Sequence, residues 1–111
     1  MLESQIERRL GEMVKRRGGL YFKFVSPGMP GVPDRIIILP GGRCVFVELK
    51  TEVGRLSAIQ KWIIEKMRNQ GCDVREIRGW EQARALVEEL FPEGLKSGTV
   101  SVSESRCAMD S

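Results

Sequence analysis

With 111 residues, 41% of them apolar and 30% charged, the chain is long enough for one small domain with a real core and too short for two. It has no histidine, which excludes imidazole acid–base catalysis, Ser-His and Cys-His nucleophiles and imidazole-ligated zinc, so any enzyme here works with carboxylates, lysine and a hard metal ion. The net charge of +3 is concentrated in residues 1–91, with 16 Lys and Arg against 12 Asp and Glu, a balance that suits a polyanionic partner and equally a solvated surface.

Residues 2–17 predict a helix, with Leu2, Ile6, Leu10 and Met13 at helical spacing and Gly18-Gly19 as its stop. Glu3 and Glu7 fall along the border of that apolar face. Leu20–Val25 predicts a strand. The next eight residues, Ser26 to Pro33, hold three prolines and two glycines and cannot continue a ladder. Arg35–Leu39 and Arg43–Lys50 predict two strands, and the Pro40-Gly41-Gly42 turn between them implies an antiparallel hairpin. From Arg55 to Asn69 the period turns helical through Leu56, Ile59, Ile63 and Met67, and Gly71 closes it. Cys72–Ile77 predicts a fourth strand, parallel to the third because a helix connects them. Trp80–Leu90 predicts a last helix, and residues 93–111 a flexible serine-rich tail beyond a domain of residues 1–92.

The expected fold is therefore α/β: helix, three-strand meander, helix, strand, helix, around a mixed four-stranded sheet. No apolar run approaches the ~20 residues of a membrane span and no leader of signal-peptide type opens the chain, so a cytoplasmic location is expected. Cys44, Cys72 and Cys107 are odd in number and scattered, which indicates neither a disulfide framework nor a zinc knuckle.

The informative stretch is "GVPDRIIILPGGRCVFVELK", residues 31–50. An apolar hairpin carries Asp34 at its start and Glu48 and Lys50 at its end. Alternation puts Glu48 and Lys50 on one face, and the hairpin returns Glu48 to the level of Asp34. Two carboxylates at close range repel unless a cation lies between them. That grouping fits metal-assisted phosphodiester hydrolysis. Asp34 and Glu48 would give oxygen ligands to Mg²⁺ or Mn²⁺, with the Leu49 carbonyl as a third and Glu3 or Glu7 as a further one; Lys50 would hold the attacking water or offset phosphorane charge. No organic cofactor is called for.

Pro33-Asp34, then thirteen residues, then Glu48-Leu49-Lys50 resembles the PD-(D/E)xK signature of restriction-endonuclease-like nucleases. More narrowly, Glu3-x-x-Ile6-Glu7, Gly18-Gly19, "KFVSPGMPGVPDRIIILPGG", "VFVELK" and Leu56-Ser57-x-x-Gln60 resemble the virus-type replication-repair nuclease (VRR-NUC) family over residues 2–80. The resemblance implies a restriction-endonuclease-like core in which Glu3, Asp34 and Glu48 bind metal and Lys50 is catalytic, with Glu7 a competitor for the first-helix place. It also implies a homodimer that cuts branched DNA such as four-way junctions, as a bacterial, phage or prophage enzyme. A non-cleaving nucleic-acid module and a nuclease for flapped, nicked or single-stranded substrates are the alternatives.

Gln60 has two readings, the positioning residue that the resemblance implies and half of a Ser57-x-x-Gln60 capping box. Lys23, Ser26 and Arg35 near the loop and the basic run Lys15, Arg16, Arg17 are the candidate DNA contacts. Exposed apolar residues such as Trp80 would serve a dimer.

Overall fold

The computed structural model describes residues 1–92, in the order α1 (Glu3–Arg16), β1 (Leu20–Lys23), β2 (Arg35–Ile38), β3 (Cys44–Lys50), α2 (Ala58–Asn69), β4 (Asp73–Arg78) and α3 (Gly79–Leu90). The serine-rich stretch from 93 to 111 lies outside the described residues. The strands form one sheet in the order β1-β2-β3-β4. β1–β2 and β2–β3 are antiparallel and β3–β4 is parallel, the mixed meander and crossover expected from the connection lengths.

Turn chemistry sets the register. Gly41 and Gly42 both have positive φ, 100° and 97°, the conformation a tight hairpin needs and glycine adopts without a steric cost. The Leu39 amide donates to the Arg43 carbonyl at 2.8 Å and closes the loop. Arg35 then pairs with Val47 and Ile38 with Cys44.

α1 and α3 cover one face of the sheet. Ile6, Leu10 and Val14 from α1 and Ala83, Leu86, Val87 and Leu90 from α3 pack on Ile37, Val45, Val47, Leu49 and Ile77, with Phe91 buried at the end of α3. The small residue at Gly11 admits the Tyr21 ring, since a Cβ there would sit 2.8 Å from it. α2 lies on the other face, where Ile63, Ile64 and Val74 are buried apart from that core. It covers β4 and leaves β1 bare, so Leu20 and Phe22 are about half exposed.

Two sequence expectations change. The apolar face of α2 is turned, with Ile63 and Ile64 inward and Ile59 40% exposed, because this helix meets only one end of the sheet. Trp80 packs against the main core with the Arg9 guanidinium 5.0 Å over its ring, whereas Trp62 is 49% exposed. Trp80 is therefore unavailable as the exposed apolar residue of a dimer surface.

Candidate active site

Asp34 immediately precedes β2, and Glu48 follows the Val47 that pairs with Arg35. The two acids are thus neighbours at the end of the hairpin where the proline-rich loop enters. The Phe24 amide donates to the Asp34 carbonyl at 2.8 Å and ties this end to β1. Val47 and Leu49 point into the main core, so their alternates Glu48 and Lys50 face the α2 side. There Lys50 Nζ stands 3.8 Å from Glu48 Oε2, and Gln60 Nε2 donates to the same oxygen at 3.2 Å.

Glu48 is 7% exposed. Burial first, and then the charge of Asp34, push its carboxyl up to about 7; Glu3 adds to this, while Lys50 and Arg35 pull the other way. A carboxylate held part-protonated by burial and like charge lacks positive charge, and a hard divalent cation between Asp34 and Glu48 would offset both causes. The donors are oxygens, as Mg²⁺ or Mn²⁺ prefers. Among the described residues no group of three or more acidic or cysteine side chains is close enough to hold an ion. Glu3 is felt at Glu48 through its charge alone, so the fit rests on the Asp34–Glu48 pair.

The VRR-NUC domain family matches residues 4–81, which spans α1 to the start of α3. The chain belongs to the VRR-NUC domain family. A solved VRR_NUC domain structure matches it with a TM-score of 0.73 at 31% identity, over 78% of this chain and 94% of that one. "Putative nuclease p44" of Acyrthosiphon pisum secondary endosymbiont phage 1 is 52% identical over 48 residues, 43% of this chain and 52% of that protein. The chain therefore spans about half the length of this curated relative.

Other candidate residues of the VRR-NUC domain are scattered more widely. Glu7 is engaged by Arg35 at 2.8 Å. Arg35 itself, read from the sequence as a DNA contact, is 7% exposed and paired with Glu7 and Asp34, so it offers no free charge to a phosphate. Its place in β2, two residues before the core residue Ile37, was the available signal: alternation sends it to the core face, where a charge needs a partner. Lys23 is exposed at the end of β1, and the half-buried Ser26 accepts the Met29 amide through its carbonyl in the loop turn. Lys15 and Arg16 are exposed at the far end of α1, roughly 18 Å along the helix from Glu3. Arg17 donates to the Phe91 carbonyl at 2.9 Å and pairs with Glu88 at 3.2 Å, which ties it to the end of α3.

Proposed function

We propose that this VRR-NUC domain is an endonuclease that hydrolyses DNA phosphodiester bonds with Mg²⁺ or Mn²⁺ held by Asp34 and Glu48. The observation that carries this reading is a buried Glu48 carboxyl beside Asp34, with an ammonium and an amide converging on one of its oxygens. Glu3 and the Leu49 carbonyl complete the proposed ligand set. A bound divalent ion supplies Lewis-acid stabilisation of phosphate charge and a more acidic water. Lys50 orients the attacking water or balances the charge growing on the phosphorus oxygens. Gln60 fixes the rotamer of Glu48 by its hydrogen bond, and Lys23, at the mouth of the loop, meets the substrate backbone.

The proposed target is branched DNA, cut by a homodimer whose two-fold axis matches that of a four-way junction. The half-exposed Leu20, Phe22 and Trp62 support association with a second copy. Sedimentation showing only monomer at micromolar concentration would remove the dimer. No helix among the described residues is long and apolar enough to cross a membrane, which is compatible with the proposed cytoplasmic site of action.

The test is incubation of the protein and of Lys50→Ala with Mg²⁺ or Mn²⁺ and labelled four-way junction, flap, nicked and linear DNA, with EDTA controls. Paired symmetric nicks in the junction, absent from both controls, are expected. Cleavage confined to flaps or single strands keeps the chemistry and discards the junction. Binding with no metal-dependent cleavage would favour a non-cleaving nucleic-acid module.

A further inference from the structure

We propose that Arg35 is a positioning residue for the Asp34 carboxylate, and that Glu7 is its counter-ion rather than a metal ligand; this rests on the reading of Asp34 as a ligand. The guanidinium is almost wholly buried and bridges two elements. Arg35 Nη2 pairs with Glu7 Oε1 of α1 at 2.8 Å, and Nη1 pairs with Asp34 Oδ1 at 2.9 Å. Nη1 also donates to the Asp34 carbonyl at 3.1 Å, so one nitrogen grips the backbone and the side chain of the same residue. That double grip removes the rotamer freedom a half-exposed aspartate would otherwise keep. It engages Oδ1 and leaves Oδ2 for another partner.

The surroundings separate this role from a generic buried ion pair. Arg35 Nε and the hydroxyl of Tyr21 are both buried without a hydrogen-bond partner among the described residues. The guanidinium is therefore aimed by the two carboxylates and not by a complete set of hydrogen bonds, at the cost of leaving polar atoms unsatisfied. Glu7 neutralises it, so the clamp holds Asp34 without adding net positive charge where a cation is to bind. Glu7 is held by Arg35, and Glu3 rather than Glu7 is among the main charges felt at Glu48, which leaves Glu3 as the α1 candidate.

The test uses Mn²⁺ alone, with no DNA: free Mn²⁺ is followed by electron paramagnetic resonance in titrations of the full chain and its variants, each checked for folding by circular dichroism. Arg35→Lys keeps the charge and loses the fork, and its Mn²⁺ dissociation constant should rise about tenfold, the usual effect of removing a ligand's supporting partner. Glu7→Gln should stay within about threefold of the wild type, whereas loss of a true ligand in Asp34→Asn should cost far more. An unchanged affinity in Arg35→Lys, or a Glu7→Gln loss as large as that of Asp34→Asn, overturns the proposal. If Arg35→Lys does not fold, the Glu7→Gln/Arg35→Met pair, neutral and of similar volume, takes its place with the same expected loss. Arg35-dependent Mn²⁺ binding by a chain that cuts no DNA would leave the positioning role standing and the nuclease reading fallen. Wild-type failure to bind Mn²⁺ overturns the positioning role.

Discussion

The side-chain amide of Gln60 joins the start of a helix to Glu48. Its Oε1 accepts the Ser57 amide at 2.9 Å, while its Nε2 donates to Glu48 Oε2 at 3.2 Å. Ser57 Oγ returns the favour by accepting the Gln60 amide at 3.2 Å. The helix cap and the carboxylate clamp therefore share one side chain, and substitutions can pull them apart. Ser57→Ala removes a cap bond only and should cost about 1 kcal/mol of stability with turnover nearly unchanged. Gln60→Ala removes both and should lower turnover as well. Calorimetry and a cleavage assay on the two variants check this; equal activity in both would leave the glutamine as a cap alone.

Lys50→Ala should retain DNA binding and lose about 10²–10³ in cleavage rate, the scale for removing one electrostatic stabiliser. Its ammonium, 3.8 Å from Glu48, is one of two cations drawing that carboxyl down, so the variant's Glu48 should also titrate higher. Single-turnover kinetics with a binding assay separate the two effects. A variant that cuts at wild-type rate removes Lys50 from the chemistry.

In the metal-free protein Glu48 makes stability fall as pH rises. Its carboxyl titrates at about 7 when folded against an ordinary 4.5. Below the lower value both states are protonated and the folded protein keeps the full benefit. Between the two values only the unfolded chain gives up its proton, and above about 7 the penalty is complete. The full swing is on the order of 3 kcal/mol. Denaturant midpoints from pH 4 to 8 should show Glu48→Gln gaining on the wild type across this window, and Mg²⁺ should narrow the gap. Parallel curves for the two proteins would refute the coupling.

Gly31 precedes the Pro33-Asp34 step with φ of +90°, and a Cβ there would sit 3.0 Å from the Ile59 carbonyl oxygen. Gly31→Ala meets both the strained backbone and a rigid helix turn, so it should destabilise by about 1–2 kcal/mol. Because the same loop delivers Asp34, activity should fall further than at the exposed and open Gly28, where alanine should be tolerated. Paired denaturation and cleavage measurements on the two alanine variants decide it.

Much of this was legible in the sequence because local chemistry dictated it. Pro40-Gly41-Gly42 marks a tight turn, and once the hairpin is placed, period-two alternation fixes Asp34, Glu48 and Lys50 relative to one another. Ser57-x-x-Gln60 marked the true start of α2, although periodicity alone began it at Arg55. What was hidden depended on which elements meet. Alternation from Ile37 puts Arg35 on the core face, but only the arrival of Glu7 from α1 shows what answers its charge. Ile59 and Ile64 differ by where α2 lands on the sheet, and Trp80 and Trp62 by which helix has a neighbour on its face of the sheet. The missing third carboxylate has the same origin, since the reach of Glu3 depends on how α1 is laid across the sheet.

Arg17 and Phe91 lie 74 residues apart, yet they share a hydrogen bond, and the Phe91 ring fills the space left by Gly19, where a Cβ would come within 2.7 Å of it. The residue that follows α3 thus latches the turn that ends α1. A growing chain can form its hairpin early, but the first helix has no finished bed until Phe91 has been made. A chain ending at residue 85 should leave α1 open to limited proteolysis, so this fold stays incomplete until Phe91 has been made.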